Sequence, residues 1–169
     1  MNNTKAKPAG YSLTQIALHW GIALLILIQF LLDDGIGQAW DGFVDTGNVT
    51  YSPLVISHIV IGVTVLVLAL WRIALKLKVG TPALPEGEPR WQQIASRATH
   101  GLLYLLLLLM PLSGLLGWVF SVRLAADIHS LESNLLLGLI GLHVAAALYH
   151  RFVSKSGVLE RMFRPVKSG

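Results

Sequence analysis

Apolar residues are gathered into four long runs, separated by polar connectors. The runs cover about residues 13–32, 54–77, 98–120 and 126–153. Each approaches the roughly 20 apolar residues that a bilayer-crossing helix needs. The connectors hold residues that favour loops and turns, and we interpret the first two as loops and the third as a short turn near Ser121 to Asp127. The pattern predicts an all-α membrane protein whose residues 1–169 form one domain, a four-transmembrane-helix bundle.

The first run is interpreted as a membrane helix and not as a signal peptide. It is long for the apolar segment of a signal peptide, and it contains Gln15, His19 and Gln29.

Composition agrees with membrane insertion, because 54% of residues are hydrophobic and only 13% are charged. Soluble domains carry roughly a quarter charged residues. The absence of cysteine excludes disulfides, iron–sulfur clusters on cysteine ligands and covalently attached c-type haem.

Charge predicts how the bundle is oriented. Twelve of the thirteen Lys and Arg residues fall at one end of the predicted bundle, and Arg123 alone falls at the other. The first connector, at the end with Arg123, holds Asp33, Asp34, Asp41 and Asp45 and no cation. By the positive-inside rule both termini are cytoplasmic. The net charge of +4 therefore reflects membrane topology, and we expect no nucleic-acid partner.

Every histidine lies in or at the end of a predicted span: His19, His58, His100, His129, His143 and His150. A single intramembrane histidine is readily explained as a neutral imidazole bonded to a neighbouring helix. Six of them over four helices favour a functional role, because ionisable groups in a span are costly.

The histidines fall into two layers. His129 and His143 are 14 residues apart, which is about 320° of helical phase and roughly 21 Å of rise, so both face the same way. Two haems stacked across the bilayer, each with two axial histidines, would satisfy this layout. The outer pair would be His58 with His129. Spacing leaves open whether His143 or His150 joins His19 in the inner pair.

Other residues near these layers have two readings each. Gly62, Gly138 and Gly141 would make room for a macrocycle or allow close helix packing. Arg72 lies 14 residues after His58 and would bind a haem propionate or simply anchor the helix at the cytoplasmic interface.

The residues also resemble a known family, the bacterial cytochrome b-561 proteins. The resemblance rests on Tyr11 to Trp20 with its His-Trp pair, Ser57-His58 with Gly62, Thr99-His100-Gly101 with Pro111 and Gly114, and Gly141 to Leu148 with His150. It implies a four-helix bundle with two b haems in a bacterial inner membrane. It assigns His19 and His143 to the inner haem, and His58 and His129 to the outer haem. It implies that His100 and His150 are not ligands but neighbours that support the haem ligands, or contacts of a propionate and of quinone.

The resulting functional hypothesis is a dihaem electron carrier that acts as an oxidoreductase between a periplasmic donor and membrane ubiquinone. Superoxide is one candidate donor, although an anion would be repelled by the acidic outer connector. The alternative is a membrane-anchor cytochrome subunit of a larger dehydrogenase or hydrogenase, docking through Trp40, Phe43 and Tyr51. A haem-free transporter with a histidine proton relay is a third, less favoured reading.

Overall fold

The described part of the chain is entirely helical in its regular structure. A computed structural model describes residues 8–46, 51–85 and 87–166, without the side chains of residues 33 and 34. The helices are α1 (Leu13–Leu31), α2 (Asp33–Thr46), α3 (Pro53–Val79), α4 (Arg90–Phe120) and α5 (Arg123–Phe152), followed by a 3₁₀ turn at Glu160–Met162. Helices α1, α3, α4 and α5 are long and apolar enough to cross a membrane, which confirms the four predicted spans.

Local sequence signals explain where the helices begin and end. Ser12 accepts a hydrogen bond from the backbone of Gln15, whose side chain accepts one from the Ser12 backbone, so α1 starts with a capping box. Ser52 caps α3, and Pro53 occupies its first turn, where no backbone donor is needed. At the other end of α3, Gly80 has a φ of 87°, which favours glycine.

The first connector departs from the prediction, because residues 33–46 form a helix and not a loop. Helix α2 is amphipathic: Ile36, Ala39 and Trp40 lie on one face and pack against α3 and the end of α4. Glycines at positions 35, 37 and 42 lower helix propensity, but burial of that face outweighs the loss. Local breakers were therefore a poor guide to this segment.

Two other boundaries differ from the prediction. Helix α4 begins at Arg90, eight residues before the predicted span, because the polar segment after Pro89 continues the helix. The last connector shrinks to Ser121 and Val122. Ser121 adopts a left-handed φ of 57° that ends α4, and Val122 is extended, so α5 starts at once.

The interior is small, as expected when lipid covers the outside. Ile22, Ile26, Val65, Leu106 and Leu136 form the central cluster of buried residues. In none of the four candidate spans is more than 22% of the most apolar stretch buried. The apolar surface therefore faces outward over most of each helix, toward the hydrocarbon that solvates it.

The helices are packed unevenly. Helix α5 packs along α4, while α1 packs on α3 and α3 on α4. Among the described residues, α5 makes little backbone contact with α1 or α3. Helix α5 therefore meets α1 and α3 mainly through side chains, among them the ring contacts of His143 with His19 and of His129 with His58.

The two ends of the described chain meet at one end of the bundle, which we call the terminal face. The Val166 amide donates to the Tyr11 carbonyl at 3.1 Å. The Trp20 indole donates to the Met162 carbonyl at 2.8 Å, and Phe163 packs on Trp20. The opposite end, where α2 lies, is called the α2 face.

Candidate functional site

The histidine pair at the α2 face joins α3 to α5. The rings of His58 and His129 have centroids 6.1 Å apart, with planes inclined at 75°. His58 lies in the second turn of α3 after Pro53, and both rings are half-buried. Gln29 of α1 donates to the His58 carbonyl at 2.9 Å and so fixes this turn of α3.

Residues 110–114 of α4 lie against the ring of His129. The ring nitrogen Nδ1 lies 2.8 Å from the Met110 carbonyl. A carbonyl can only accept, so Nδ1 carries the proton and the lone pair is left on Nε2, ready for a metal. Gly114 lies against the same ring, since a Cβ there would be 2.9 Å from the His129 Cε1 atom.

Next to the His129 ring lies a buried polar pair, Ser113 and Glu132, that the sequence did not reveal. The Ser113 hydroxyl is 2.5 Å from Glu132 Oε2, 2.9 Å from the Met110 carbonyl and 3.5 Å from His129 Nδ1. Ser113 and Glu132 are each no more than 9% exposed. The available signal was a glutamate inside an apolar run, three residues after a histidine.

The histidines at the terminal face come from three helices. His19 of α1 and His143 of α5 have ring centroids 6.1 Å apart, with planes at 71°. His100 of α4 lies closer to His143, at 5.2 Å. Its Nδ1 donates to the Ser96 carbonyl at 2.6 Å, which holds the ring along its own helix.

Arg72 reaches into the same end of the bundle. Its Nη1 donates to the Gln15 carbonyl at 2.7 Å, one turn before His19, and its Nε donates to the Tyr104 hydroxyl at 3.1 Å. Lys76 lies over the Tyr104 ring, 4.6 Å from its centroid. The contacts draw two cations of α3 toward the terminal-face histidines.

Tyr11 lies just before α1 in this region. Burial raises the pKa of Tyr11 above its usual 10.0, while nearby Arg72 opposes the shift. The phenol is therefore held neutral in a cationic corner of the protein.

His150 occupies a different position from His143. Its Nδ1 lies 3.1 Å from the hydroxyls of Ser154 and Ser156 and 3.5 Å from a carboxylate oxygen of Glu88. It thus joins the end of α5 to the α3–α4 connector. Of the two partners that spacing left open for His19, the fold brings His143 to it.

The three glycines near the histidine layers are not sites of close helix packing, which was one of their two interpretations. Outside the backbone of its own helix and its chain neighbours, no described atom lies within 4 Å of a Cβ built on Gly138 or Gly141, and at Gly62 the nearest such atom, Gln29 Nε2, is at 3.6 Å. Tight helix packing therefore does not explain these three. The close crossing of α4 and α5 is at Gly117, whose Cβ would lie 3.3 Å from that of Ala126.

The histidine pairs fit a metal between two axial imidazoles. Two metal–nitrogen bonds of about 2 Å, plus about 1.1 Å from each nitrogen to its ring centre, give roughly 6 Å between centroids. Both pairs have 6.1 Å. Among the described residues, no cluster of three or more His, Cys, Asp or Glu forms a conventional ion site.

Comparison with known proteins points the same way. The profile of the family described as prokaryotic cytochrome b561 matches residues 10–165. Cytochrome b562 of Cereibacter sphaeroides is 36% identical over 92% of this chain and 96% of its own length. Cytochrome b561 homolog 1 of Escherichia coli is 28% identical over 90% and 96% of the two chains. A protein named probable superoxide oxidase CybB, from Yersinia pestis, is 30% identical over 94% and 98%.

Proposed function

Because the chain belongs to the prokaryotic cytochrome b561 family, and so is a haem b-binding membrane cytochrome of electron transport in a bacterium, we propose that it holds two b haems. His19 and His143 hold one at the terminal face, and His58 and His129 hold the other at the α2 face. The observation that carries the proposal is the equal 6.1 Å separation of the two pairs. Haem iron with two imidazole ligands supplies one-electron transfer without an open position for other chemistry.

The residues around each pair have distinct tasks. Met110 fixes the tautomer of His129, and Gly114 leaves room for its ring. At the terminal face Arg72 is proposed to bind a propionate. Two bonds to the protein occupy part of its five-donor guanidinium, so donors are left for an anionic carboxylate.

His100 is proposed to be a neighbour of the terminal-face haem and not a ligand. Its ring is 5.2 Å from that of His143, shorter than the roughly 6 Å that shared ligation of one metal requires. His150 and Glu88 lie where polar contacts from α5 meet the α3–α4 connector. We assign to them the contact with the quinone headgroup, since histidine can exchange the proton that quinone reduction consumes.

The proposed reaction is transfer of electrons from a donor at the α2 face to membrane ubiquinone at the terminal face. The terminal face is proposed to be cytoplasmic and the membrane to be the inner one, because the basic residues gather there. A reporter fused after residue 169, active only on one side of the membrane, tests that orientation.

Superoxide is the donor that one relative's name suggests for that protein. In this chain a shallow, open depression of about 320 Å³ at the α2 face is lined by Trp40, Phe43, Val44, Ser121 and Arg123. The cation at its rim supports access for a small anion. Exposed Asp41 and Asp45 on α2 oppose it, so we expect capture of superoxide to be slower than in a relative with a basic rim.

The anchor-subunit alternative receives less support from the fold. Two of its three proposed docking residues are partly buried against another ring: Trp40 packs on Trp118 at 5.6 Å and Phe43 stacks on the same ring at 6.4 Å. Tyr51 alone is well exposed. Superoxide-dependent or donor-dependent quinone reduction by the purified protein would favour an independent oxidoreductase.

Single histidine substitutions test the ligation directly. We expect His19→Ala or His143→Ala to remove one haem, and His58→Ala or His129→Ala to remove the other, as measured by pyridine haemochrome per chain. Redox titration then distinguishes the two that are left. His100→Ala is the matched control and should keep both haems; loss of a haem in that variant together with its retention in His19→Ala would reassign the ligand.

A further inference from the structure

We propose that Ser113 and Glu132 form a positioning pair that fixes the ring of His129 and thereby sets the properties of the haem at the α2 face. The inference rests on the proposed ligation by His58 and His129. It assigns a role to the two buried polar side chains that the proposed electron transfer does not otherwise use.

The position of Glu132 is costly and calls for a compensating contact. It lies nine residues after Arg123 in α5, or about 14 Å along the helix axis and well inside the apolar span. An acidic group inside a membrane helix is costly unless a neighbouring group binds it. Ser113 supplies the contact from the facing helix, at 2.5 Å.

Hydrogen counting connects this pair to His129. A serine hydroxyl has one proton, so Ser113 donates either to Glu132 or to the Met110 carbonyl. If Glu132 is ionised, it accepts the hydrogen bond that the Ser113 hydroxyl donates. If it is protonated it donates to Ser113, which then donates to Met110. In both arrangements the His129 Nδ1–H still donates to Met110, so the same tautomer is kept.

The pair also fixes the distance between α4 and His129. Ser113 lies between Met110 and Gly114, the two residues that contact the ring. Glu132 lies one turn beyond His129 on α5. Its bond to Ser113 therefore holds residues 110–114 of α4 against the His129 ring. Loss of either side chain removes the bond that holds this part of α4 against α5, so the Met110 carbonyl shifts and the His129 ring bonded to it changes its angle to the His58 ring.

A merely structural pair would behave differently. A contact that only joins α4 to α5 would affect thermal stability and leave the iron unchanged. A positioning pair changes the ligand field and the reduction potential of one haem, because partners of a ligating histidine tune its basicity and orientation.

The experiment compares Ser113→Ala, Glu132→Leu and Glu132→Gln with wild-type protein in detergent. The readouts are haem per chain, the highest EPR g value of each low-spin haem and each midpoint potential. We expect Ser113→Ala and Glu132→Leu to shift the g value and the potential of the α2-face haem alone, with affinity for that haem reduced roughly 10- to 100-fold. Glu132→Gln should keep the wild-type g value, because an amide still donates to Ser113.

Asn134 provides the matched control. It is an exposed polar residue of α5, bonded to the Ser130 carbonyl of its own helix at 3.0 Å. Asn134→Ala should leave both haems unchanged. If Glu132→Leu fails to insert, Ser113→Ala decides, since it removes a single oxygen.

The outcomes separate this inference from the ligation on which it rests. If His129→Ala keeps both haems, the ligation is wrong and the pair has no haem to position. If His129→Ala loses one haem while Ser113→Ala and Glu132→Leu leave the g value and potential of that haem unaltered, the ligation stands and the positioning role is refuted.

Discussion

Gly114→Ala gives the sharpest test of how the α2-face site is built. The added Cβ would lie 2.9 Å from His129 Cε1 and 3.0 Å from Nδ1. Carbon atoms pack best at about 3.5–4.0 Å, so the new methyl group would be about 0.6 Å too close. The ring cannot swing aside freely, because its Nδ1–H is bonded to Met110.

The magnitude follows from overpacking. Forcing an extra methyl group into a packed site costs about 1–3 kcal/mol. At about 1.4 kcal/mol per tenfold change, haem affinity at this site should fall roughly 5- to 150-fold. The terminal-face haem should be unaffected, since its nearest proposed ligand on α5 is 14 residues away.

The assay is haem content and redox titration of purified protein, with haem supply limited during expression. Gly101→Ala is the matched control: it lies on the same helix, and no described atom outside its chain neighbours and the nearby helix backbone is within 4 Å of its added Cβ. We expect the control to retain the α2-face haem and Gly114→Ala to lose part of it. Equal occupancy of that haem in both variants, with unchanged potentials, would refute the steric account of His129.

The remaining predictions concern the terminal face. Burial raises the pKa of Tyr11 in the folded protein, so its stabilising contribution is complete below about pH 10 and is lost as pH rises through the raised value. Tyr11→Phe should therefore flatten the alkaline fall of the melting temperature, and an unchanged fall would contradict this. Trp20→Phe removes the indole bond to Met162, which should cost about 0.5–1.5 kcal/mol and make residues 153–166 easier to cleave in limited proteolysis; identical cleavage rates would count against the contact. Arg72→Met should lower the midpoint potential of the terminal-face haem, because a cation near the iron favours the reduced form; a shift in the other haem instead would argue that Arg72 serves a different site.

Hydropathy was sufficient to find the four membrane helices. Their length and apolarity are set by the thickness of the bilayer, which acts on each segment separately. Hydropathy did not predict helix α2 in the first connector. Helix α2 exists because Ile36 and Trp40 find partners on α3 and α4, and a short helix depends on such tertiary contacts more than on its own propensity.

The histidine pattern shows where sequence reasoning ends. Helical phase placed His129 and His143 on one face of α5, because the helix repeat alone fixes that relation. It could not choose between His143 and His150, which share nearly the same angle. The choice depends on how far α1 is shifted along α5, and only the packed structure brings His19 within 6.1 Å of His143.

The Ser113–Glu132 pair could be found only from the tertiary structure. The two residues are 19 positions apart on different helices, and nothing in the spacing of either helix relates them. A hydrogen bond between helices needs both axial register and rotation to within an ångström or so. Sequence periodicity determined which faces could turn inward, whereas packing of α4 on α5 decided which polar atoms meet there.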